Sequence, residues 1–556
     1  MTAAGFDYIV IGGGSAGCVL AKRLSDEPDV RVLLLEAGGR DVHPYFRVPV
    51  GVKRIGKKYN WRYEAEPDAS RGGIVDHWAA GRVTGGGSSI NAMVWVRGSP
   101  TDFDGWVAQG CRGWGYEDVL PYFIRAETFH GAGDSGYRGR SGPLSVSPAA
   151  VDHELTDAFM AACVEFGVSH NEDYNGRTQA GVSRAQLSQR RGCRSSTSSA
   201  YLVPSLARRN LRVETGATAH RVLFDGDRAT GVEYVRRGKA ARAVAAREVI
   251  VSAGAIASPR LLMVSGVGPA DDLSRLGIHV VADLPGVGQN LQEHPYAHML
   301  FGVNVRTLNQ ELTPLGALKH TASFVVRGRG ALTSSAAHAI AFVGSGAKTE
   351  SEVIFGPFGV SGAKHAQAHN AAAESANAMQ ALDARLTEFR HDVQEMELLK
   401  TSTVLCIPSV LQPLGRGEIR LRSADPEAPP IIRHEVIGHP RDRDRLIEAC
   451  QLVRDIFHQP ALKSYVVAEE LPGDDVRTVD DWRGFVRSFG FRGEHPTGTV
   501  RMGGADAPLD PELRVRGVAG LRVVDASVMP RITSGNTNAP TIMVAERAAD
   551  LILRSR

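Results

Sequence analysis

The first forty residues alternate apolar stretches with a glycine-rich turn, in an order that predicts a nucleotide-binding unit. The apolar, β-branched run 6–11 predicts a buried strand, because such runs are typical of strands covered on both faces. A Gly-x-Gly-x-x-Gly turn follows at 12–17, then a helical stretch, then the apolar run 31–35, which ends at Glu36. Strand, glycine turn, helix, strand and acid in this order predict a βαβ unit that binds a dinucleotide.

The glycines and the acid have separate functions in such a unit. Gly12 allows the tight turn, Gly14 lets the backbone approach a pyrophosphate, and Gly17 lets the helix pack on the strand. The helix N-terminus offers free N–H groups and the positive end of its dipole to the phosphates. Glu36 stands where an adenosine ribose would present its hydroxyls, which favours FAD or NAD over NADP. The motif itself leaves FAD and NAD open.

Farther along the chain, the pattern predicts more strands and helices around long loops. Loop signals dominate from about 38 to 143, and binding residues often lie on loops of this kind. Apolar β-rich runs predict strands, and helical periodicity predicts helices. The predicted strands are 211–214, 219–224, 231–235, 248–254, 416–422 and 521–525, and the predicted helices are 153–166, 366–400, 443–458, 476–488 and 539–554.

Composition excludes several classes of function. Apolar residues make up 43% of the chain and charged residues 22%, as in ordinary globular proteins, and the formal net charge of +3 does not predict nucleic-acid binding. No apolar run is long enough to predict a transmembrane segment. The six cysteines show no Cys-x-x-Cys pair and no metal-ligand spacing, so we expect reduced structural thiols and no metal site. With no sign of a secretory signal, we expect a cytoplasmic protein.

The C-terminal part of the chain carries its most specific motifs. These are 495–503, 523–530 and 533–541, preceded by 81–93, 254–269 and 284–295. In this order they resemble the motifs of the glucose-methanol-choline (GMC) oxidoreductase family, whereas about 301 to 410 match poorly. The resemblance implies that the dinucleotide is FAD rather than NAD, and that the substrates are alcohols.

The resemblance also implies an architecture. We expect an α/β fold in which a Rossmann-like FAD-binding domain joins a second α+β domain that binds the substrate and contains an antiparallel sheet with helices. A cofactor cleft between two domains is expected because 556 residues exceed what one hydrophobic core usually organises. The predicted FAD-binding domain comprises 1–150, 200–300 and 486–556, and the predicted substrate-binding domain comprises 151–199 and 301–485.

By this resemblance, His495 takes the place of the catalytic histidine and Asn536 that of its partner. Alcohol oxidation needs a base for the hydroxyl proton and transfer of a hydride to flavin N5. A histidine titrates near neutral pH and an asparagine does not, so His495 is the predicted base and Asn536 the predicted donor to the developing alkoxide. The predicted cofactor contacts are Gly12, Gly14, Ser15, Ala16, Gly17, Glu36, Ala37, Arg82, Gly86, Gly87, Ser88, Asn91, Ala92, Val222, Ala253, Asp525, Ala526, Asn536 and Thr537.

Two positions depart from patterns found in relatives. Covalently flavinylated relatives carry a histidine just after the paired serines of the first motif, where this chain has Ile90, so we expect FAD to be held non-covalently. Relatives that oxidise quaternary-ammonium alcohols carry a tyrosine just before the catalytic histidine, where this chain has Glu494. Its carboxylate could attract a cation, could raise the pKa of His495, or could turn outward and pair with Arg492.

The expected activity is oxidation of a primary alcohol, aliphatic or aromatic, to the aldehyde. The expected partners are this small-molecule alcohol and an electron acceptor, which is a quinone, a carrier protein or O₂. The alternatives are an alcohol oxidase that makes H₂O₂, a choline dehydrogenase, and a lyase or decarboxylase that keeps FAD. A dehydrogenase is favoured because 59–61 and 64–67 resemble choline-dehydrogenase-like relatives.

Overall fold

Two large β-sheets organise the fold. The structure is a computed structural model that describes residues 5–311, 314–345, 348–362 and 396–555. The strands of the two sheets, in chain order, are β1 Phe6–Ile11, β2 Val32–Glu36, β3 Gly181–Arg184, β4 Leu211–Thr215, β5 Ala217–Asp225, β6 Arg228–Arg236, β7 Lys239–Val251, β8 Pro295–Ala297, β9 Met299–Val303, β10 Ala339–Ser345, β11 Lys348–Gly356, β12 Thr403–Val410, β13 Val466–Leu471, β14 Gly490–Arg492 and β15 Leu521–Val523.

Helices and smaller sheets pack around these strands. The longer helices are α1 Ser15–Ser25, α2 Pro100–Ala108, α3 Tyr116–Ala126, α4 Glu154–Phe166, α5 Gly254–Val264, α6 Pro314–Arg327, α7 Pro440–Phe457, α8 Val479–Phe489 and α9 Asn538–Arg554. Short helices include Gly87–Ile90, Ala270–Arg275 and Pro460–Lys463. Small sheets pair Tyr63–Glu64 with His77–Trp78, Glu127–Phe129 with Leu144–Pro148 and Gln186–Leu187, Gln189–Arg190 with Cys193–Arg194, Val267–Gly268 with Ala282–Asp283, Val360–Gly362 with Met396–Leu398, and Glu418–Arg420 with Ile431–Arg433.

The first sheet contains the predicted βαβ unit. Its strand order is β4-β2-β1-β7-β6-β5, with β15 beside β7. Strand β1 runs parallel to β2 and β7, and Val10 lies opposite Leu34 and Ile250. All five residues of β2 are buried, as expected for a parallel sheet that is covered on both faces. The carboxyl ends of β1 and β2 therefore open where α1 begins, at the position for a dinucleotide.

The second sheet is antiparallel and has the order β13-β9-β12-β11-β10-β3, with β8 pairing with both β12 and β14. Helices α4 and α7 pack against it, and stacked pairs such as Phe159 with Phe355 fill the space between. An α/β fold with a second α+β part is thus confirmed. The domain boundaries stay a prediction, and β8 and β14 belong to the second sheet although both fall inside the predicted FAD-binding segments.

Most predicted elements that fall on described residues are present, with two exceptions. The segment from 38 to 143 was predicted to be dominated by loops, but α2 and α3 lie within it. Helix α2 begins after Ser99, which forms a capping box with Asp102, and its first turn contains Pro100. Together these residues are a helix-start signal that outweighs the nearby loop signals. Most of the predicted helix 366–400 lies outside the described residues, and its described end contains the strand Met396–Leu398 instead of a helix. Among the described helices, none combines the length and the apolar character that crossing a bilayer requires.

Candidate active site

A cavity of about 1620 Å³ is lined by residues of both sheets. This volume exceeds the roughly 300–1,000 Å³ typical of a single small-molecule pocket. The wall formed by the first sheet includes the glycine turn and the end of β2, and the wall formed by the second sheet includes Ile354 and Ile407. The cavity therefore has room for a dinucleotide along one sheet and a substrate against the other.

The glycine turn fits the phosphates of FAD. Gly12 has a φ of +102°, which an L side chain rarely adopts. A Cβ on Gly86 would lie 2.8 Å from the Gly14 Cα, so two backbones approach closely at this point of the wall. The Glu36 carboxylate accepts hydrogen bonds from the N–H groups of Gly13 at 2.9 Å and Gly38 at 2.7 Å, which fixes it at the end of β2 facing the ribose position.

Most of the predicted cofactor residues lie on the cavity wall. Those that line it are Gly12, Gly14, Ser15, Ala16, Glu36, Ala37, Gly86, Gly87, Asn91, Ala92, Ala253, Asp525, Ala526, Asn536 and Thr537. The segments come from the loops after β1, β2, β7 and β15, which meet at one edge of the sheet. Such an edge is where open α/β sheets bind ligands.

Four predicted cofactor residues do not line the cavity. Gly17 lets α1 pack on the turn, since a Cβ there would lie 1.8 Å from the Gly12 carbonyl oxygen. The guanidinium of Arg82 lies over the Trp61 ring at 4.7 Å, and the Ser88 hydroxyl donates to the Gly85 carbonyl at 2.6 Å. Val222 donates its N–H to the Ser265 hydroxyl at 2.9 Å. The cavity is instead reached by 217–219 at the start of the same strand β5, which the sequence pattern did not single out.

His495 and Asn536 meet at the cavity wall. The distance from Asn536 Nδ2 to His495 Nε2 is 3.0 Å. His495 lies on the loop after β14 and retains 9% of its exposure, and Asn536 follows Gly535, whose φ of +130° turns the chain into α9. The amide N–H donates and the imidazole Nε2 accepts, so Nε2 is the ring nitrogen that carries the lone pair, and a substrate hydroxyl reaches that lone pair by taking the place of the Asn536 amide.

A second histidine, His294, fixes the protonation of His495. The Leu411 carbonyl oxygen can only accept, and it lies 3.1 Å from His294 Nε2, so that nitrogen carries a proton. The distance between His294 Nδ1 and His495 Nδ1 is 3.0 Å. Neutral His294 has no proton on Nδ1, so His495 donates from its own Nδ1 and leaves Nε2 bare. This chain of hydrogen bonds prepares Nε2 as a base.

Burial keeps both imidazoles neutral. It lowers the pKa of His294 to about 4, and burial together with His294 lowers the pKa of His495 well below its usual value. Burial disfavours the charged imidazolium because it removes water from the ring. At neutral pH, His495 is therefore in the unprotonated form that accepts a proton.

Glu293 holds the backbone on which both histidines lie. Its carboxylate accepts from the N–H of His495 at 2.8 Å and from the N–H of His294 at 2.9 Å. Burial raises the pKa of Glu293 to about 8. No role was predicted for either Glu293 or His294, although both lie in the 284–295 motif.

The environment of Glu494 selects among the three alternatives for its carboxylate. Arg492 Nη1 lies 2.6 Å from Glu494 Oε2, which also accepts the Ala79 N–H at 3.0 Å. The carboxylate borders the cavity, but its charge is balanced by a buried guanidinium. Pairing with Arg492 is therefore the arrangement that the structure contains.

The turn that carries Asn536 is held by buried polar contacts to Ser534. Asp102 accepts from the Ser534 N–H at 2.6 Å and from its hydroxyl at 2.8 Å. Gln412 Nε2 donates to the same Asp102 carboxylate at 2.8 Å, and Gln179 Nε2 donates to the Ser534 carbonyl at 2.5 Å. These contacts fix the position of the Asn536 amide two residues later.

The cavity wall across from the glycine turn is mostly apolar. It includes Ile354, Phe358, Val360, Leu405, Ile407 and Phe491. The Tyr296 ring also lies there, and its hydroxyl donates to the buried Glu352 carboxylate at 2.9 Å. A substrate bound beside His495 therefore meets rings and aliphatic side chains.

Comparison with known proteins covers almost the whole chain. Models described as GMC oxidoreductase match 6–296 and 413–545. The mitochondrial choline dehydrogenase of Homo sapiens is 39% identical over 98% of this chain and 89% of its own length, and the oxygen-dependent choline dehydrogenase of Sinorhizobium medicae is 39% identical over 98% and 95%. The structure of pyridoxine 4-oxidase from Mesorbium loti superposes with a TM-score of 0.83 at 29% identity, covering 98% of each chain. Formate oxidase from Aspergillus oryzae shares the fold, with a TM-score of 0.88 at 24% identity over 100% and 99%.

Proposed function

Because this chain belongs to the GMC oxidoreductase family and is an FAD-dependent alcohol oxidoreductase, we propose that its substrate is an uncharged primary alcohol, aliphatic or aromatic. The product is the aldehyde. The observation that supports this choice is the apolar wall across the cavity, together with the ion pair that balances Glu494. An apolar pocket with few polar groups binds apolar molecules and fixes them through those groups.

In the proposed reaction, His495 Nε2 takes the hydroxyl proton of the alcohol. The Asn536 amide donates a hydrogen bond to the developing alkoxide, and the Asp102 contacts hold that amide in place. The hydride acceptor would be supplied by N5 of FAD bound along the glycine turn. A general base placed in this way contributes on the order of 10²- to 10⁴-fold to the rate.

Choline is the second candidate substrate. The two choline dehydrogenases described above are each 39% identical to this chain over 98% of its length, and Tyr296 and Phe491 offer aromatic rings to a cation. The carboxylate that borders this part of the cavity is already paired with Arg492. A bound trimethylammonium group would therefore contact aromatic rings, but it would not find an unpaired Glu494 carboxylate to balance its charge.

One pair of alcohols separates the two candidates. Choline and 3,3-dimethylbutan-1-ol have the same shape and differ only in the charge of the quaternary centre. The FAD-loaded protein is mixed anaerobically with each of these two alcohols, and with benzyl alcohol and 1-decanol. The dependence of flavin bleaching on alcohol concentration gives the rate constant for flavin reduction and the dissociation constant of each alcohol. We expect the neutral alcohols to bleach the flavin more efficiently than choline. Preference for choline over its neutral isostere would refute the proposal, and no bleaching by any alcohol would support the lyase alternative.

We propose that FAD is held non-covalently. Ile90 lies on the cavity wall after the paired serines and has no group that can bond to the flavin. Acid precipitation of the protein should release the yellow flavin into the supernatant. Flavin that stays with the precipitated protein would refute this proposal.

We propose that the acceptor is a quinone or a carrier protein rather than O₂, and that the protein works in the cytoplasm. The human relative described above is named a dehydrogenase without reference to oxygen, which supports the proposal, whereas the Sinorhizobium medicae relative is named oxygen-dependent, which speaks against it. All six cysteines are free, as in a reducing compartment. After reduction by alcohol, air should restore the flavin much more slowly than a soluble quinone does. Equal rates would favour the oxidase, and detection of the protein outside the cytoplasm in cell fractions would refute the location.

A further inference from the structure

Arg194 is a buried cation between two cavities. Its exposed fraction is 6%, and it lines both the large cavity and a second cavity of about 270 Å³. Its backbone belongs to the short strand Cys193–Arg194. The predicted cofactor residues did not include it.

Arg194 lacks a negative partner in the part of the chain that the structure describes. Its Nη1 donates to Asn91 Oδ1 at 2.7 Å and to the Ser88 carbonyl at 3.2 Å, while its buried Nε has no hydrogen-bond partner. Burial lowers its pKa to about 9, and no carboxylate opposes that shift. Arg97 and Arg138, which are also buried, both contact Glu127. A buried charge without a counter-charge is costly, which indicates that Arg194 serves a ligand.

The second cavity is a poor candidate for that ligand. Asp41 borders it, and its carboxylate accepts from the hydroxyls of Thr84 at 2.9 Å and Ser198 at 2.6 Å. These donors are therefore occupied, and an anion there would face the Asp41 charge. Arg40 and Arg47 also line this cavity, but both are exposed to water and need no ligand to balance their charge. The large cavity, whose wall carries most of the residues predicted to contact FAD, is the better candidate.

Arg194 acts on that cavity through Asn91. Asn91 Oδ1 accepts from both Arg194 and the Met93 N–H at 3.0 Å, so the amide nitrogen is left to donate into the cavity that Asn91 lines. The segment around Asn91 runs from Gly86, which touches Gly14, to Val96, whose side chain lies against Gly535. It therefore leads from the glycine turn to the Asn536 turn, and a flavin that extends from the glycine turn toward His495 would lie along it.

We propose that Arg194 is a cofactor-site residue that fixes the Asn91 amide toward the flavin ring and raises the midpoint potential of the flavin by stabilising its negatively charged reduced form. A positive charge in a poorly solvated site favours a nearby anion more strongly than it would in water. The inference rests on FAD binding, and it is independent of which alcohol is oxidised.

The test compares Arg194→Met and Arg194→Gln, which remove the charge, with Arg194→Lys, which keeps it. The methionine variant guards against failure to fold, because replacing an uncompensated buried cation by an apolar side chain relieves its desolvation cost. Arg47→Gln is the matched control, since Arg47 is exposed and lines the second cavity alone. The midpoint potential and the dissociation constant of sulfite, which adds to the flavin and leaves it negatively charged, are measured at saturating FAD without any alcohol.

We expect the sulfite dissociation constant to rise about tenfold or more in the methionine and glutamine variants, with a lower midpoint potential. The lysine variant should stay within about threefold of the wild type, and the Arg47 control should not change. An unchanged potential and sulfite affinity in both charge-removing variants would overturn the proposal. So would a loss confined to FAD affinity, which would assign Arg194 to the phosphates. Because no alcohol is present, either failure is distinct from failure of the proposed alcohol oxidation.

Discussion

Replacing His294 by phenylalanine tests whether a second histidine prepares the base. The substitution keeps a planar ring but removes the acceptor for the proton on His495 Nδ1, which lies 3.0 Å from His294 Nδ1. His495 would then carry a buried N–H group without a partner. His294 does not line the cavity, so we expect substrate affinity to change little and the rate of flavin reduction to fall.

The magnitude follows from the cost of that unpaired group. A buried donor left without an acceptor costs about 1–3 kcal/mol. His495 avoids this cost by moving its proton to Nε2, where the Asn536 side chain can accept it through Oδ1, which has no partner among the described residues. That tautomer lacks a free base atom. Since about 1.4 kcal/mol corresponds to a factor of ten, the rate constant for flavin reduction should fall about 5- to 150-fold.

The matched variant is His294→Gln. A glutamine can accept from His495 Nδ1 through its oxygen and donate to the Leu411 carbonyl through its nitrogen, so it should reduce the flavin within a few-fold of the wild-type rate. The assay is anaerobic stopped-flow bleaching at saturating alcohol. Equal rates for the phenylalanine variant and the wild type, or equally slow rates for both variants, would refute the relay.

Three further substitutions address the charges around the site. The pKa of Glu293 is raised to about 8, so its negative charge, which stabilises the imidazolium of His495, appears only above that pH. Glu293→Gln should therefore remove any rise in the rate of flavin reduction as the pH passes through about 8. A rise that persists in the pH profile of this variant would contradict the prediction. Glu494→Gln should leave that profile unchanged, because Arg492 balances the carboxylate, and should lower the free energy of unfolding by about 1–3 kcal/mol in denaturant titrations; a shifted profile would show that its charge acts on His495. Asp102→Asn should slow flavin reduction at least tenfold with little change in substrate affinity, because an amide cannot accept all four hydrogen bonds that the Asp102 carboxylate accepts. A wild-type rate in this variant would show that Asn536 is held in place by other contacts.

The sequence identifies most residues of one cavity wall because the signals for a nucleotide-binding unit are local. Strand, glycine turn, helix and acid lie within about forty residues, and each step depends on neighbouring positions. The acid Glu36 lies on the cavity wall together with Gly12 and Gly14. Val222 does not line the cavity, although it was predicted to contact the cofactor. Which part of β5 faces the cavity depends on how the strand pairs with its neighbours, and periodicity alone does not give that pairing.

The contact between His294 and His495 could not be predicted because it is set by strand pairing over a distance of 201 residues. Strand β8 pairs with β14, with Tyr296 opposite Phe491. The Gly493 N–H then donates to the His294 carbonyl at 2.9 Å, which places the two histidines side by side. Each histidine lies in a recognisable motif, but neither motif indicates the other as its partner.

The low pKa of His495 creates a problem that the surrounding groups resolve. An imidazole whose pKa is well below 6.5 is unprotonated at neutral pH but is a weak base for an alcohol. When Nε2 takes the proton, the new charge is shared with Nδ1, which already donates to His294, while Asn536 stabilises the oxygen that loses the proton. The pH dependence has a definite sign: because the pKa is lowered, the active form persists below pH 6.5, and the acid limb of the flavin-reduction profile should lie there. An acid limb at or above pH 6.5 would contradict the assignment of a buried, neutral His495 as the group that accepts the proton of the alcohol.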